Sequence, residues 1–322
     1  MGLEKKKGPG MKQRFYVCLV ILLFPAIAWA DSSALVIQGI AGSEQLEKKF
    51  EKWGTSTRDV LVQDLGFSKE RVILLAGEGT KKAAVEQAFG QIKQQIKSGD
   101  NFVLVLIGHG SFDTDYKLNI SGPDLSGKEY SALIDSLGAT RTVIVSSTSS
   151  SGGMFETLGG KNRVLIAASR SGEREDTAFY EYFLQGLKGV AADEDKDKKI
   201  SAWEAFKYAT SGVERFYKEQ TRIQTEHAGL AAGGGASVAP TVPEQDAPVL
   251  ARVTSLTADR AVTVADPKLQ ALLNERKSIE QKIEAHRLDK GLLTPEQYEK
   301  RLEELILELA RKNQEIQEQQ KK

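Results

Sequence analysis

The sequence predicts an α/β fold, a three-layer αβα sandwich built on a mostly parallel sheet, followed by a C-terminal α-helical hairpin. Three observations carry this. Between residues 34 and 209, short apolar runs alternate with longer amphipathic ones. One short run, residues 101–107 (NFVLVLI), is apolar almost throughout, as a strand covered on both faces should be. After residue 266 the apolar spacing turns helical in two blocks separated by a short turn.

Taken in order, residues 34–40 read as the first strand. A helical pattern follows through Leu46, Phe50, Trp53, Val60, Leu61 and Leu65. Residues 71–75 form the second strand and 81–97 the second helix. The third strand, 101–107, is followed by a short extended excursion at 117–121 and a helix at 126–137. Residues 142–147 and 163–168 are the fourth and fifth strands, with helices at 177–187 and 202–216. Strands alternating with helices imply parallel βαβ units.

This domain spans residues 31–229. Residues 230–264, with AAGGGASVAP near their start, read as a flexible linker. The hairpin, or coiled coil, occupies 265–322. Its first helix, 267–290, repeats at Leu272, Ile279 and His286, with Leu269 and Ile283 adjoining; its second, 295–319, runs through Tyr298, Leu302, Leu305, Leu309 and Ile316. Thr294-Pro295-Glu296-Gln297 is a helix start: a cap, a proline in the first turn, and Gln three residues after the cap. The turn at 289–293 is short enough to make the two helices antiparallel neighbours. Two outcomes fit: a hairpin docked on its own domain, or one that pairs with a second copy or another protein.

The chain has 322 residues with equal numbers of bases and acids, 44 each. Five of those bases but one acid fall in the first thirty residues, leaving 39 against 43, a net of −4 for residues 31–322. No basic excess remains to hold phosphates, which argues against nucleic-acid binding. Residues 1–30 read as a signal peptide: Lys12 and Arg14 precede an apolar run from 15 to 26, and Ala28-Trp29-Ala30 offers small residues at the cleavage offsets. The expected location is periplasmic or secreted, with no stable membrane insertion after cleavage. Cys18 is the only cysteine, so the cleaved chain has no thiol, and disulfides, zinc–thiolate sites and cysteine nucleophiles are then excluded.

Two glycine-flanked polar clusters follow strands. The third strand runs into Gly108-His109-Gly110-Ser111, and the fourth into Ser146 to Ser151, Gly152, Gly153 and Met154. Sites in open α/β sheets form at the carboxyl ends of strands. Glycine beside histidine lets a substrate approach the backbone and leaves an N–H free to stabilise an oxyanion.

The LVLIGHGS segment, the following strand with SSSGGMF, and the strand and RSGERED loop after it resemble the caspase- and legumain-like cysteine peptidases, here over residues 34–227. The long helical tail is similar to that of bacterial relatives. The resemblance implies a caspase-like sandwich, with His109 as the catalytic histidine, Gly110 as an oxyanion-hole N–H and Ser149 where the family has its cysteine. Ser147 stands where legumains carry a pocket glutamate, so asparagine preference does not transfer. Ser169 and Ser171 lie in the segment that would wall the pocket. A thiol becomes a nucleophile beside a histidine, whereas a hydroxyl needs a base in direct contact and usually a third group to orient it. Asp113 and Asp115 are the nearest carboxylates in sequence. The expectation is a pseudopeptidase that binds peptide or protein partners; the alternative is a hydrolase of peptide or ester bonds using Ser149 and His109.

Residues 193–204 fit the twelve-residue calcium loop of EF-hands. Asp193, Asp195 and Asp197 take positions 1, 3 and 5, the Lys199 carbonyl position 7, Ser201 position 9 and Glu204 position 12. Lys198 departs from the pattern, because position 6 turns with positive φ and favours glycine. Nearby lysines also oppose a cation. A single loop suggests structural calcium. His227 and His286 are expected to be structural.

Overall fold

The structure, a computed structural model, describes residues 32–97, 99–258 and 264–321; the segment read as a signal peptide lies outside the described residues. In chain order the elements are β1 (Ser32–Gln38), α1 (Glu44–Gln63), β2 (Val72–Leu75), α2 (Lys82–Gln95), β3 (Asn101–Ile107), β4 (Gly110–Phe112), β5 (Tyr116–Leu118), α3 (Gly127–Asp135) and β6 (Arg141–Ser146). They continue with α4 (Met154–Thr157), β7 (Arg163–Ala167), α5 (Phe179–Leu187), α6 (Ala202–Glu219), β8 (Gly229–Ala232), α7 (Val249–Val253), α8 (Pro267–Leu288) and α9 (Pro295–Gln320).

Alternation along each strand builds the three layers. In β3, Val103, Val105 and Ile107 face one core while Phe102, Leu104 and Leu106 face the other. The first core is covered by α1, α5 and α6 through Phe50, Trp53, Phe183 and Phe206. The second is covered by α2 and α3 through Val85, Phe89, Tyr130 and Ile134. The six-stranded sheet runs β2-β1-β3-β6-β7-β8. Its first five strands are parallel, in registers such as Val36↔Val105 and Val105↔Val145, and β8 is antiparallel to β7. The fold is thus the predicted α/β sandwich of mostly parallel strands with C-terminal helices. The excursion expected at 117–121 is a small β4–β5 hairpin, which places Gly110 in a strand.

The expected linker at 230–264 needs correction. Its first residues form β8, with Leu230 and Ala231 buried, and Ala247, Ala251, Val253, Leu256 and Ala258 are buried further along. Alanine-rich sequence is compatible with mobility, but alanine also packs where larger side chains cannot. Here Ala258 N–H bonds to the Leu65 carbonyl at 2.7 Å and Trp203 Nε1 donates to Glu244 at 2.6 Å. Over its described residues the segment is a strap bound across the domain.

The hairpin follows the antiparallel expectation. Asp266 meets Gln319 at 2.7 Å, Glu275 meets Lys312 at 2.6 Å, and His286 Nε2 donates to the Tyr298 carbonyl at 2.9 Å. The predicted capping box forms at Thr294 and Gln297, with Pro295 in the first turn. Ile279, Ile283 and Leu305 make a small apolar seam. Arg141 joins the hairpin to the sandwich, donating to Glu284 at 3.0 Å and to the Val253 carbonyl at 2.9 Å.

At the same, amino-terminal end of the sheet, fully buried Asp100 accepts from Arg71 Nη1 at 2.9 Å and from Lys97 N–H at 3.0 Å. The same guanidinium reaches Ser33 and the Gln95 carbonyl, tying β1 and β2 to the start of β3. Asp100→Ala removes the carboxylate facing a largely buried cation and should cost about 3 kcal/mol in urea unfolding. Asp100→Asn, which keeps an acceptor, should cost less.

Candidate functional site

Strands β3 and β6 are neighbours in the sheet, so the turns that leave their carboxyl ends lie side by side. Gly108 leaves β3 with φ of 142° and sets His109 at the rim. The imidazole edge meets Phe50 of α1, with ring centroids 5.5 Å apart and planes at 71°. Gly110 opens β4, and β4 presses directly against the Ser149 turn. A Cβ on Gly110 would fall 2.4 Å from Thr148 Oγ1 and 2.8 Å from the Ser149 carbonyl. A Cβ on Gly153 would enter the Phe112 ring at 2.2 Å. The glycines are required by close approach.

The turn after β6 is held by its own hydroxyls. Tyr116 OH bonds to Ser146 at 2.9 Å and to Thr148 at 3.0 Å. Burial raises the Tyr116 phenol above its ordinary pKa, against the pull of those two hydrogen bonds, so it stays protonated. Ser147 donates to the Leu106 carbonyl at 3.2 Å, at the end of β3. Ser150 takes a left-handed backbone with φ of 52°, held by its N–H to the Glu173 carbonyl at 2.7 Å. Ser151 and Ser169 bond hydroxyl to hydroxyl at 3.1 Å.

The structure brings Ser149 to Gly110 and leaves it unbonded to His109. Ser149 Oγ donates to the Gly110 carbonyl at 3.0 Å and faces the Gly110 N–H at 3.4 Å. The N–H expected to stabilise an oxyanion is therefore directed at the serine itself. His109 Nδ1 lies instead 3.5 Å from Asp176 Oδ1, a residue that sequence reasoning missed. Asp115 is turned away, accepting from Lys128 N–H at 3.3 Å.

The Thr225-Glu226-His227 segment supports the site from outside. Buried Glu226 accepts from Ala178 N–H at 2.8 Å and Phe179 N–H at 3.0 Å, capping the start of α5. Burial raises its pKa, with these backbone hydrogen bonds opposing. His227 Nδ1 pairs with Glu173 at 2.5 Å, and Glu173 holds Ser150. His227 is thereby tied to the loop that holds the Ser149 turn. Two cavities flank the rim. One of about 420 Å³ is walled by Ser169, Arg170, His227, Val238 and Pro240; the other, about 700 Å³, by Lys49, Lys52, Trp53 and Asp176.

In the acidic loop, carboxylate oxygens of Asp193, Asp195 and Asp197 lie within 4.8 Å of one another. Asp193 accepts from the N–H groups of Asp197 at 3.2 Å and Lys198 at 3.0 Å. Lys198 has φ of 69°, the left-handed turn expected at position 6. Burial, with Asp195 and Glu204 nearby, raises the Asp197 carboxyl above its ordinary pKa, partly offset by the Lys199 N–H. This donor set fits a hard cation such as calcium. Glu204 is engaged elsewhere. It accepts from Ser201 N–H at 2.8 Å and hydroxyl at 2.7 Å, and from Glu194 N–H at 3.0 Å. The loop also has a pairing partner: Ile200 accepts from Leu256 N–H at 2.7 Å beside a Ser201↔Ser255 bridge.

Gly110→Ala should drive a methyl into Thr148 and the Ser149 carbonyl, destabilising the protein by about 2 kcal/mol. Gly77→Ser, at an open position with positive φ, is the control for backbone strain without a clash. Thermal unfolding of the two variants separates the effects.

No family model matches the chain, and no curated protein matches it significantly. Among solved structures it is similar to caspase-1 from Spodoptera frugiperda, at 9% sequence identity and a TM-score of 0.45. That match covers 63% of this chain and 87% of the caspase.

Proposed function

We propose that the chain is an exported, caspase-like domain that binds peptide or protein partners without hydrolysing them. The observation that carries this reading is the hydrogen bond from Ser149 Oγ to the Gly110 carbonyl at 3.0 Å. A serine hydroxyl becomes a useful nucleophile when a base accepts its proton directly. Here the proton points at a main-chain carbonyl, and the Gly110 N–H faces the same hydroxyl. The cavities walled by Asp176 and by Ser169 offer concave surface for a partner. Among the described residues no helix is long and apolar enough to cross a membrane.

A fluorophosphonate probe should leave the purified protein unlabelled. Labelling that disappears in Ser149→Ala would establish the hydrolase alternative instead.

A calcium ion at Asp193, Asp195 and Asp197 is a second part of the proposal, favoured by the left-handed Lys198 that the loop retains without a glycine. The Lys199 carbonyl and Ser201 complete the set, and Glu204 would join by releasing its capping bonds. An ion bound only to the native state stabilises by RT ln(1 + [L]/Kd). With Kd of roughly 0.1–1 mM, about 2 mM calcium contributes on the order of 1 kcal/mol. The unfolding temperature should rise by about 2–4 °C. Asp195→Asn should abolish the rise, and Lys198→Gly should enlarge it. Asp195 is the better probe than Glu204, whose loss would also uncap α6. No calcium response in either the wild type or Lys198→Gly rejects the ion.

A further inference from the structure

We infer that Asp176 is the positioning residue for His109, so the site keeps an oriented imidazole although its serine is held away. The inference rests on the reading of His109 and Ser149 given above. Asp176 Oδ1 lies 3.5 Å from His109 Nδ1. Its place is fixed by the next residue: buried Thr177 donates from Oγ1 to the Ser147 carbonyl at 2.7 Å. Lys49 reaches the Thr177 carbonyl at 3.5 Å from the other side, and Ala178 N–H is held by Glu226 at 2.8 Å. The carboxylate is thus anchored to the turn that carries Ser149, two residues from it in sequence at Ser147. Phe50 fixes the plane of the imidazole from α1.

With Nδ1 turned to Asp176, Nε2 is the nitrogen left to accept a proton. A carboxylate on Nδ1 holds the ring in that tautomer and stabilises the imidazolium once Nε2 is protonated. Two parts of a three-group arrangement are in place, and the third is diverted by the Gly110 carbonyl. A thiol is a weak hydrogen-bond donor and has little to gain from that carbonyl. In Ser149→Cys the thiol proton should pass to Nε2, giving a thiolate facing an imidazolium that Asp176 stabilises. Iodoacetamide then reports the thiolate: the sulfur–carbon bond forms, the carbon–iodine bond breaks, and iodide leaves.

The experiment uses the full chain with Cys18→Ser, so that residue 149 carries the single thiol. Alkylation rates of Ser149→Cys are measured from pH 5 to 9, alone and combined with Asp176→Asn or His109→Ala. At pH 6, each second substitution should slow alkylation at least about tenfold, with the rates converging near pH 9 where any thiol ionises. A merely structural role for Asp176 would shift the whole profile and leave its shape unchanged. Asp176→Asn that leaves the pH 6 rate unaltered while His109→Ala lowers it overturns the inference, as does a rate that neither substitution changes. A second readout needs no cysteine. Long-range nitrogen–proton spectra of wild type should show the His109 Nδ1–H tautomer, lost in Asp176→Asn; an unchanged tautomer also overturns it. Fluorophosphonate labelling of the wild type would remove the non-hydrolytic reading and leave these outcomes intact.

Discussion

The turn after β6 obeys one constraint from which the site follows: a buried hydroxyl must find a partner. Residues 146–151 are five serines and a threonine, each no more than 8% exposed. Leaving any one unsatisfied would cost roughly 1–3 kcal/mol. Ser146 therefore meets Tyr116, Ser147 the end of β3, Ser150 the Glu173 carbonyl, and Ser151 its counterpart Ser169. The turn is stitched to β3, β5 and the loop after β7 by the side chains that make it polar. Ser149 is bound by the same requirement, and its nearest acceptor is the Gly110 carbonyl. A cysteine in that place carries no comparable penalty, because a thiol tolerates an apolar or unpaired setting. A serine at this position therefore sets a different geometry from the one a cysteine would.

The sheet was legible in the sequence because strands buried on both faces leave long apolar runs. Residues 101–107 coincide with β3, and the alternation within that run is what divides the two cores. The strap was not legible. Its alanines and glycines match the composition of an exposed linker, yet Ala251 is fully buried against the α1–α5–α6 layer. Composition reports what a segment tolerates, and the groove it fills is set by elements far away in sequence.

The candidate site divides in the same way. His109 lies two residues past β3 and Ser149 three past β6, and it was the family resemblance, added to those strand ends, that singled them out with Gly110. Asp176 reaches the imidazole from the loop after β7, two strands beyond β3 in the sheet. The signal that could have found it is the charged run from Arg170 to Asp176 at the carboxyl end of a buried strand. Asp113 and Asp115 were nearer in sequence, but the β4–β5 hairpin turns Asp115 toward α3.

The acidic loop at 193–204 shows how one spacing can serve two rules. Positions 9 and 12 of such a loop are three residues apart, and so are the two members of a capping box. Ser201 and Glu204 satisfy both patterns, and in this structure they form the box at the start of α6. Their match therefore adds little to the metal assignment. The discriminating observations are those that capping does not require: three aspartates brought within 4.8 Å, and a lysine at φ of 69°. A left-handed lysine costs about 1 kcal/mol. It persists because Asp193 takes the Lys198 N–H at 3.0 Å while Ile200 is pinned to the strap at 2.7 Å, which fixes the chain on both sides of the turn. Two of the opposing cations are already committed, Lys196 to the Asp193 carbonyl and Lys207 to Glu194 and Glu244. These hydrogen bonds hold the backbone of the loop, and an ion bound as proposed would add charge neutralisation to that frame.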